Sequence, residues 1–321
     1  MKPFIYLICF IVLTFSSCVK EELPISKHDP GDVITNTVNM SSNYKWQVYF
    51  NLKNNTVVSE NLKISWDLGF ETTLNGYRIT LNSSKAMYAA KTNQTDFTLV
   101  TDTIGFNTNK NFDSPTGDME RTAIGDWRLI PNQVYLIDRG YNELGSRQGF
   151  RKIVFQSVDD YSYTIRFSQL NGSGETTLQI TKDNNYNFTF ISFTTSSTVI
   201  VEPPKKDWDI VFTQYLEQLS TPYLVAGCLL NRHETTAKAD SITSFSAINY
   251  DFAQTQVLSY NINVIGYDWK EYNFTTSSYL VFPSKNYIIK DQNGFYYKLH
   301  FIDFYNASGI KGNPTFEFQK L

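Results

Sequence analysis

The strongest constraint on the fold is that the chain is written twice. A shift of 142 residues sets Trp46 on Phe188, Val48 on Phe190, Val57 on Val199 and Val58 on Ile200. The same shift lays "WDLGF" on "WDIVF", so that Trp66 meets Trp208, Asp67 meets Asp209, Leu68 meets Ile210 and Phe70 meets Phe212. Later, "AIGDWR" (123–128) answers "VIGYDWK" (264–270), which has one residue more. "VYLIDRG" and "GFRKIVF" (134–140, 149–155) likewise answer "NYIIKDQ" and "GFYYKLHF" (286–292, 294–301). Matches in one order over a whole unit imply two tandem domains, 43–182 and 186–321, each long enough to own a core.

The period inside each copy is that of strands. In "WDIVFTQY", Trp208, Ile210 and Phe212 fall on one face, and Asp209, Val211 and Thr213 on the other. Each copy opens with two short apolar runs around a polar turn and closes with strand-like runs punctuated by Gly or Asn. Aromatic residues make up 16% of the chain, which favours pleated, half-buried surfaces. The expectation is an all-β protein: two antiparallel, sandwich-like domains of two layers each.

The Trp-Asp pairs pose a choice between chemistry and architecture. A carboxylate beside an aromatic ring suits a sugar cleft, and paired carboxylates hydrolyse glycosides. Occurrence of the same pair in both copies favours a structural job instead. Trp66 and Trp208 are expected to be buried, with Asp67 and Asp209 as backbone acceptors at a strand start. No nucleophile elbow, phosphate loop or dinucleotide fingerprint is present, and an enzyme is not expected. The three histidines, His28, His233 and His300, are too scattered for a zinc site. His300 reads as a satisfied strand residue. His233 enters a polar loop and is expected at the surface, where, beside Arg232 and Glu234, it retains the option of binding a ligand. With 28 basic and 31 acidic residues, there is no polycationic field for nucleic acid.

The N-terminus, "MKPFIYLICFIVLTFSSCVKEELP", carries an apolar run too short to anchor a mature protein, ending at Ser-Ser-Cys. It resembles a bacterial lipoprotein signal. That resemblance makes 1–17 the signal peptide and Cys18 the lipidated residue, followed by an acidic stretch like a surface-export tag of Bacteroidetes. Residues 18–42 read as anchor and flexible tether. Of the other cysteines, Cys9 lies in the signal and Cys228 reads as a small buried hydrophobe, so no disulfide is expected in the mature domains.

Taken with this start, the Trp-Asp strands, "IGYDWK" and the ending "FYYKLHFIDFYNASGIKGNPTFEF" resemble the HmuY family of haem-binding surface lipoproteins. The resemblance implies a β domain that holds haem between axial side chains. It also implies transfer of that haem to a TonB-dependent receptor, from an outer-membrane, cell-surface address reached through the N-terminal lipid. The family's ligands are two His, or Met in some branches. The second copy has neither residue between Asn249 and Tyr279, and the first has Met119. The ligand candidates are therefore Met119, Tyr272, Tyr267 and His233, with no metal expected outside haem. The alternative is a relative that binds no haem and uses the same scaffold for protein or glycan contact.

Overall fold

A computed structural model describes residues 30–218 and 221–321. The leader and first copy supply β1 (Ile34–Thr37), β2 (Trp46–Asn51), β3 (Thr56–Leu62), β4 (Leu68–Glu71), β5 (Ile79–Leu81) and β6 (Tyr88–Lys91). They continue with β7 (Val134–Asp138), β8 (Phe150–Val158), β9 (Ser162–Ser168) and β10 (Thr176–Thr181). The second copy begins with β11 (Phe188–Ser192), β12 (Ser197–Val199), β13 (Ile210–Gln218), β14 (Pro222–Leu230) and β15 (Thr236–Asp240). It ends with β16 (Lys270–Asn273), β17 (Ser278–Val281), β18 (Asn286–Lys290), β19 (Tyr296–Tyr305) and β20 (Lys311–Lys320). The protein is nearly all β, as its composition and alternation predict.

The repeats and the folded bodies are not the same stretches of chain. One five-stranded sheet, β10-β9-β8-β7-β6, comes wholly from the first copy, and another, β1-β20-β19-β18-β15, joins the leader to the second. The two four-stranded sheets are mixed. In one the order is β12-β11-β4-β5, and in the other β14-β13-β2-β3. Each copy's opening hairpin is therefore seated on the other copy: β2 pairs with β13 through Phe50 and Ile210, and β11 pairs with β4 through Phe190 and Gly69. Expecting each copy to own its core needs this correction. Val48 and Phe50 pack with Phe212, Phe301 and Phe316, whereas Ile191 packs with Phe70, Ile137 and Phe155. Phe50 and Phe212 are fully buried, and each such side chain contributes roughly 1.5–3 kcal/mol. The expected tether also ends early. Ile34 to Thr37 pair with Phe318 to Thr315, and Val38 and Met40 are buried in the second body's core.

The Trp-Asp pairs fasten the exchanged hairpins. Asp67 accepts the Phe193 N–H at 2.7 Å while its own N–H donates to the Ile191 carbonyl at 2.8 Å. Asp209 accepts the Leu52 N–H at 2.7 Å and donates to the Phe50 carbonyl at 2.9 Å. An asparagine completes each clasp. Asn82 Nδ2 donates to the Trp66 carbonyl at 2.9 Å, and Asn231 Nδ2 to the Trp208 carbonyl at 2.7 Å. Both Asp residues are buried, so these are backbone acceptors, serving a strand more than a hundred residues away rather than a local turn.

Candidate functional site

Exchange leaves the central strands with two buried faces. On β2, Val48 and Phe50 enter the second body's core, while Gln47 and Tyr49 turn the other way. On β13, Ile210 and Phe212 enter that core, and Val211, Thr213 and Tyr215 lie on the opposite face. Across from them stand Phe188 and Phe190 of the other mixed sheet and Trp66, just ahead of β4, lining an aromatic chamber of 130 Å³. Gln47 ties the two faces together by donating from Nε2 to Thr213 Oγ1 and accepting from Trp66 Nε1, both at 2.8 Å.

Asn187, Phe188, Arg232 and Ile262 line both this chamber and a wider cleft of 330 Å³. Met119 and His233, one from each copy, line that cleft. Met119 opens a 3-10 turn whose cap, Asp118, accepts the Glu120 N–H at 3.0 Å. The preceding loop is pinned to the second copy, where the Ile262 N–H donates to the Thr116 carbonyl at 2.9 Å. Gly117 has φ +78, and a Cβ there would approach Arg232 and Ile262 to within 2.9 Å, so only glycine suits this crossing. Met119 packs half-buried against the Trp66, Phe188 and Phe190 cluster.

His233 follows β14 and is half-buried rather than fully exposed. Asn231 Oδ1 accepts its backbone N–H at 2.9 Å and the Asn187 Nδ2 at 3.0 Å, which couples the clasp to the cleft. Burial, with Lys205 and Lys206 nearby, lowers the imidazole pKa below its ordinary 6.5 and favours the neutral, metal-ligating form. Behind the cleft, burial raises Glu202 to about 7 and Asp113 to about 6. Both still accept backbone N–H groups, Glu202 from Asn187 and Phe188, and Asp113 from Leu81 and Ala123.

The remaining candidates lie elsewhere. Tyr267 packs beside the Tyr49, Trp208 and Tyr215 cluster, and Tyr272 sits on β16 against Phe274 and Tyr279; neither lines the cleft. His300 is engaged on both ring nitrogens, Nδ1 at 2.8 Å from the Pro283 carbonyl and Nε2 at 3.0 Å from Glu317 Oε2, and stacks on Phe245. Cys228 is fully buried in the second body's core, where burial pushes its thiol pKa well up. Trp66 and Trp208 form chamber walls. The signal peptide, Cys18 and His28 fall outside the described residues. Among the described residues no group of three or more His, Cys, Asp or Glu side chains is placed to hold a metal ion. Sequence reasoning missed Asn231 as a positioning residue, although "LN" ends the equivalent strand in both copies, at Leu81-Asn82 and Leu230-Asn231.

The family model described as HmuY protein matches twice, over residues 43–182 and 184–318. No curated protein matches the chain. Among solved structures, apo PinO from Porphyromonas gingivitis aligns at 11% identity over 90% of this chain and 97% of its own, with a TM-score of 0.37. The apo HmuY analog of Tannerella forsythia aligns at 11% identity over 91% and 98%, with a TM-score of 0.25. A Bacteroides vulgatus protein provisionally described as an HmuY-like heme binding protein aligns at 18% identity over 40% and 82%, with a TM-score of 0.23.

Proposed function

The chain belongs to the HmuY family, and from that premise we propose that the cleft between its two copies binds haem, with Met119 and His233 as the axial pair. One observation carries this reading: a thioether from one copy and an imidazole from the other line a single cleft. Met and His together are an established axial set for haem iron. The lowered pKa of His233 keeps its lone pair free near neutral pH. Phe188 and Ile262, with the rings of Tyr186 and Tyr260, offer a wall suited to a flat macrocycle, and the cleft volume falls within the few hundred Å³ usual for small-molecule sites. The two copies thus make one shared site.

In this reading the protein is a carrier and not an enzyme. Lipid on Cys18 holds it at the outer membrane, exposed at the cell surface, and it passes haem to a TonB-dependent receptor. Haemin added to residues 19–321 should shift the Soret band, and Met119→Ala and His233→Ala should each move or abolish that shift. An unchanged spectrum in both variants would refute the axial pair. Cys18→Ala should release the protein from the membrane fraction, and continued sedimentation with membranes would refute the anchor.

A further inference from the structure

We propose that Arg232 is the anion anchor of the cleft and pairs with a propionate carboxylate of the bound tetrapyrrole; this rests on the haem reading above. Arg232 lies on the wall common to chamber and cleft, next to His233 in sequence. It is half-buried, yet no carboxylate lies within ion-pair distance of it among the described residues. Two buried arginines of the first copy behave differently, Arg139 gripping Asp67 and Arg78 gripping Glu120, whereas half-buried Arg151, like Arg232, donates to a backbone carbonyl, that of Phe150. Arg232 donates from Nη1 to the Gly117 carbonyl and lies 5.4 Å from the Phe188 ring centre, contacts that fix the guanidinium without neutralising it.

Four acids, Asp113, Glu202, Glu71 and Asp118, lie near it without pairing with it, and each is already engaged; Asp118 accepts the Glu120 N–H at 3.0 Å. Glu71, on the cleft wall, receives Thr73 Oγ1 at 2.8 Å and the N–H groups of Tyr77 and Arg78 at 3.2 Å. Asp113 and Glu202 accept backbone N–H groups, and burial raises both toward neutral pH, which reduces the negative charge they offer Arg232. Lys205 adds a second cation to the cleft wall, its Nζ held by Asn184 Oδ1 at 2.9 Å. A guanidinium in a partly dry cleft with no carboxylate paired to it recognises one through paired N–H donors better than an ammonium does.

The test compares haemin with haemin dimethyl ester, which keeps the iron and the ring but has no carboxylate. Native protein should bind haemin on the order of tenfold tighter than the diester, as expected for one charge-assisted hydrogen-bonded pair. Arg232→Gln should bind both with the affinity of the diester and keep the native Soret position, since Met119 and His233 are untouched. Arg232→Lys should recover part of the preference. Equal affinity of the native protein for haemin and diester overturns this proposal and leaves the axial reading standing, with no variant required. Discrimination that survives in Arg232→Gln also overturns it. Absence of any Soret shift with haemin would remove the haem reading and this proposal together.

Discussion

The clasps at Asp67 and Asp209 make the same backbone bonds and carry opposite electrostatics. Asp67 receives Lys85 Nζ at 2.5 Å and Arg139 Nε at 3.0 Å, with Arg139 Nη2 on its second oxygen at 3.1 Å. Burial alone would raise its pKa, but Lys85 and Arg139 outweigh that and hold it below the usual carboxylate range. Asp209 has no cationic partner among the described residues, and its Oδ1 has no hydrogen-bond partner. Where "VYLIDRG" has Arg139, the answering "NYIIKDQ" has Asp291, which is itself buried and faces Asp209 and Tyr297. Burial first, and Asp291 second, raise Asp209 to about 7. The shared requirement is an oxygen that receives the hairpin's N–H. How that oxygen's charge is managed, by two cations in one copy and by a pKa raised toward neutrality in the other, is free to diverge.

The largest break in this comparison should come from Asp67→Ala, which strands two buried cations. Removing one member of a buried ion cluster costs about 3–5 kcal/mol, and denaturant unfolding should show a loss of that size. A loss below about 1 kcal/mol would mean that the cluster carries no such weight. The second break is in pH dependence. With Asp209 near 7 when folded and near 3.8 when unfolded, the folded chain holds the extra proton between those values. Stability from this group is full below about 3.8 and is lost as pH rises through about 7. Asp67 runs the other way: its contribution is present at neutral pH and is lost as acid protonates it. Asp209→Asn keeps an acceptor for Leu52 and removes the titration, so its stability should fall less than the native protein's between pH 5 and 8. Parallel profiles for the two proteins would show that Asp209 does not titrate there.

The sequence made the all-β class, the duplication and the strand-start role of the Trp-Asp pairs legible, because alternation and repetition are local signals. It did not reveal the exchange of hairpins. "WQVYFN" alternates identically whether its partner is β4 or β13, so pattern alone cannot choose the seat. The early end of the tether was hidden because Val38 and Met40 are isolated apolar residues in a polar stretch, buried only once β1 pairs with β20. Met119 and His233 were each visible as candidates. Their meeting in one cleft was not, since it depends on a loop-to-loop contact between Thr116 and Ile262. Tyr267 and Tyr272 drew attention by residue type, and tertiary packing placed them elsewhere.

The smallest difference between the copies lies in the tryptophans. Trp66 meets the edge of Phe190 with ring centres 4.7 Å apart, and Trp208 meets Tyr49 at 4.9 Å, so the aromatic packing is closely matched. Of these two, Trp66 places its indole N–H on an acceptor, Gln47 Oε1 at 2.8 Å, whereas Trp208 Nε1 finds none among the described residues. Gln47 rides on the hairpin seated on the second body, so this bond joins the two bodies as well as satisfying the ring. Trp66→Phe should therefore cost about 0.5–1.5 kcal/mol more than Trp208→Phe, the worth of one net hydrogen bond. In a Gln47→Met background the extra cost should vanish, because the acceptor is gone before the indole is removed. An equal loss from both tryptophans in the native background would mean that the bond across the chamber contributes nothing, leaving the Asp clasps to hold the exchanged hairpins.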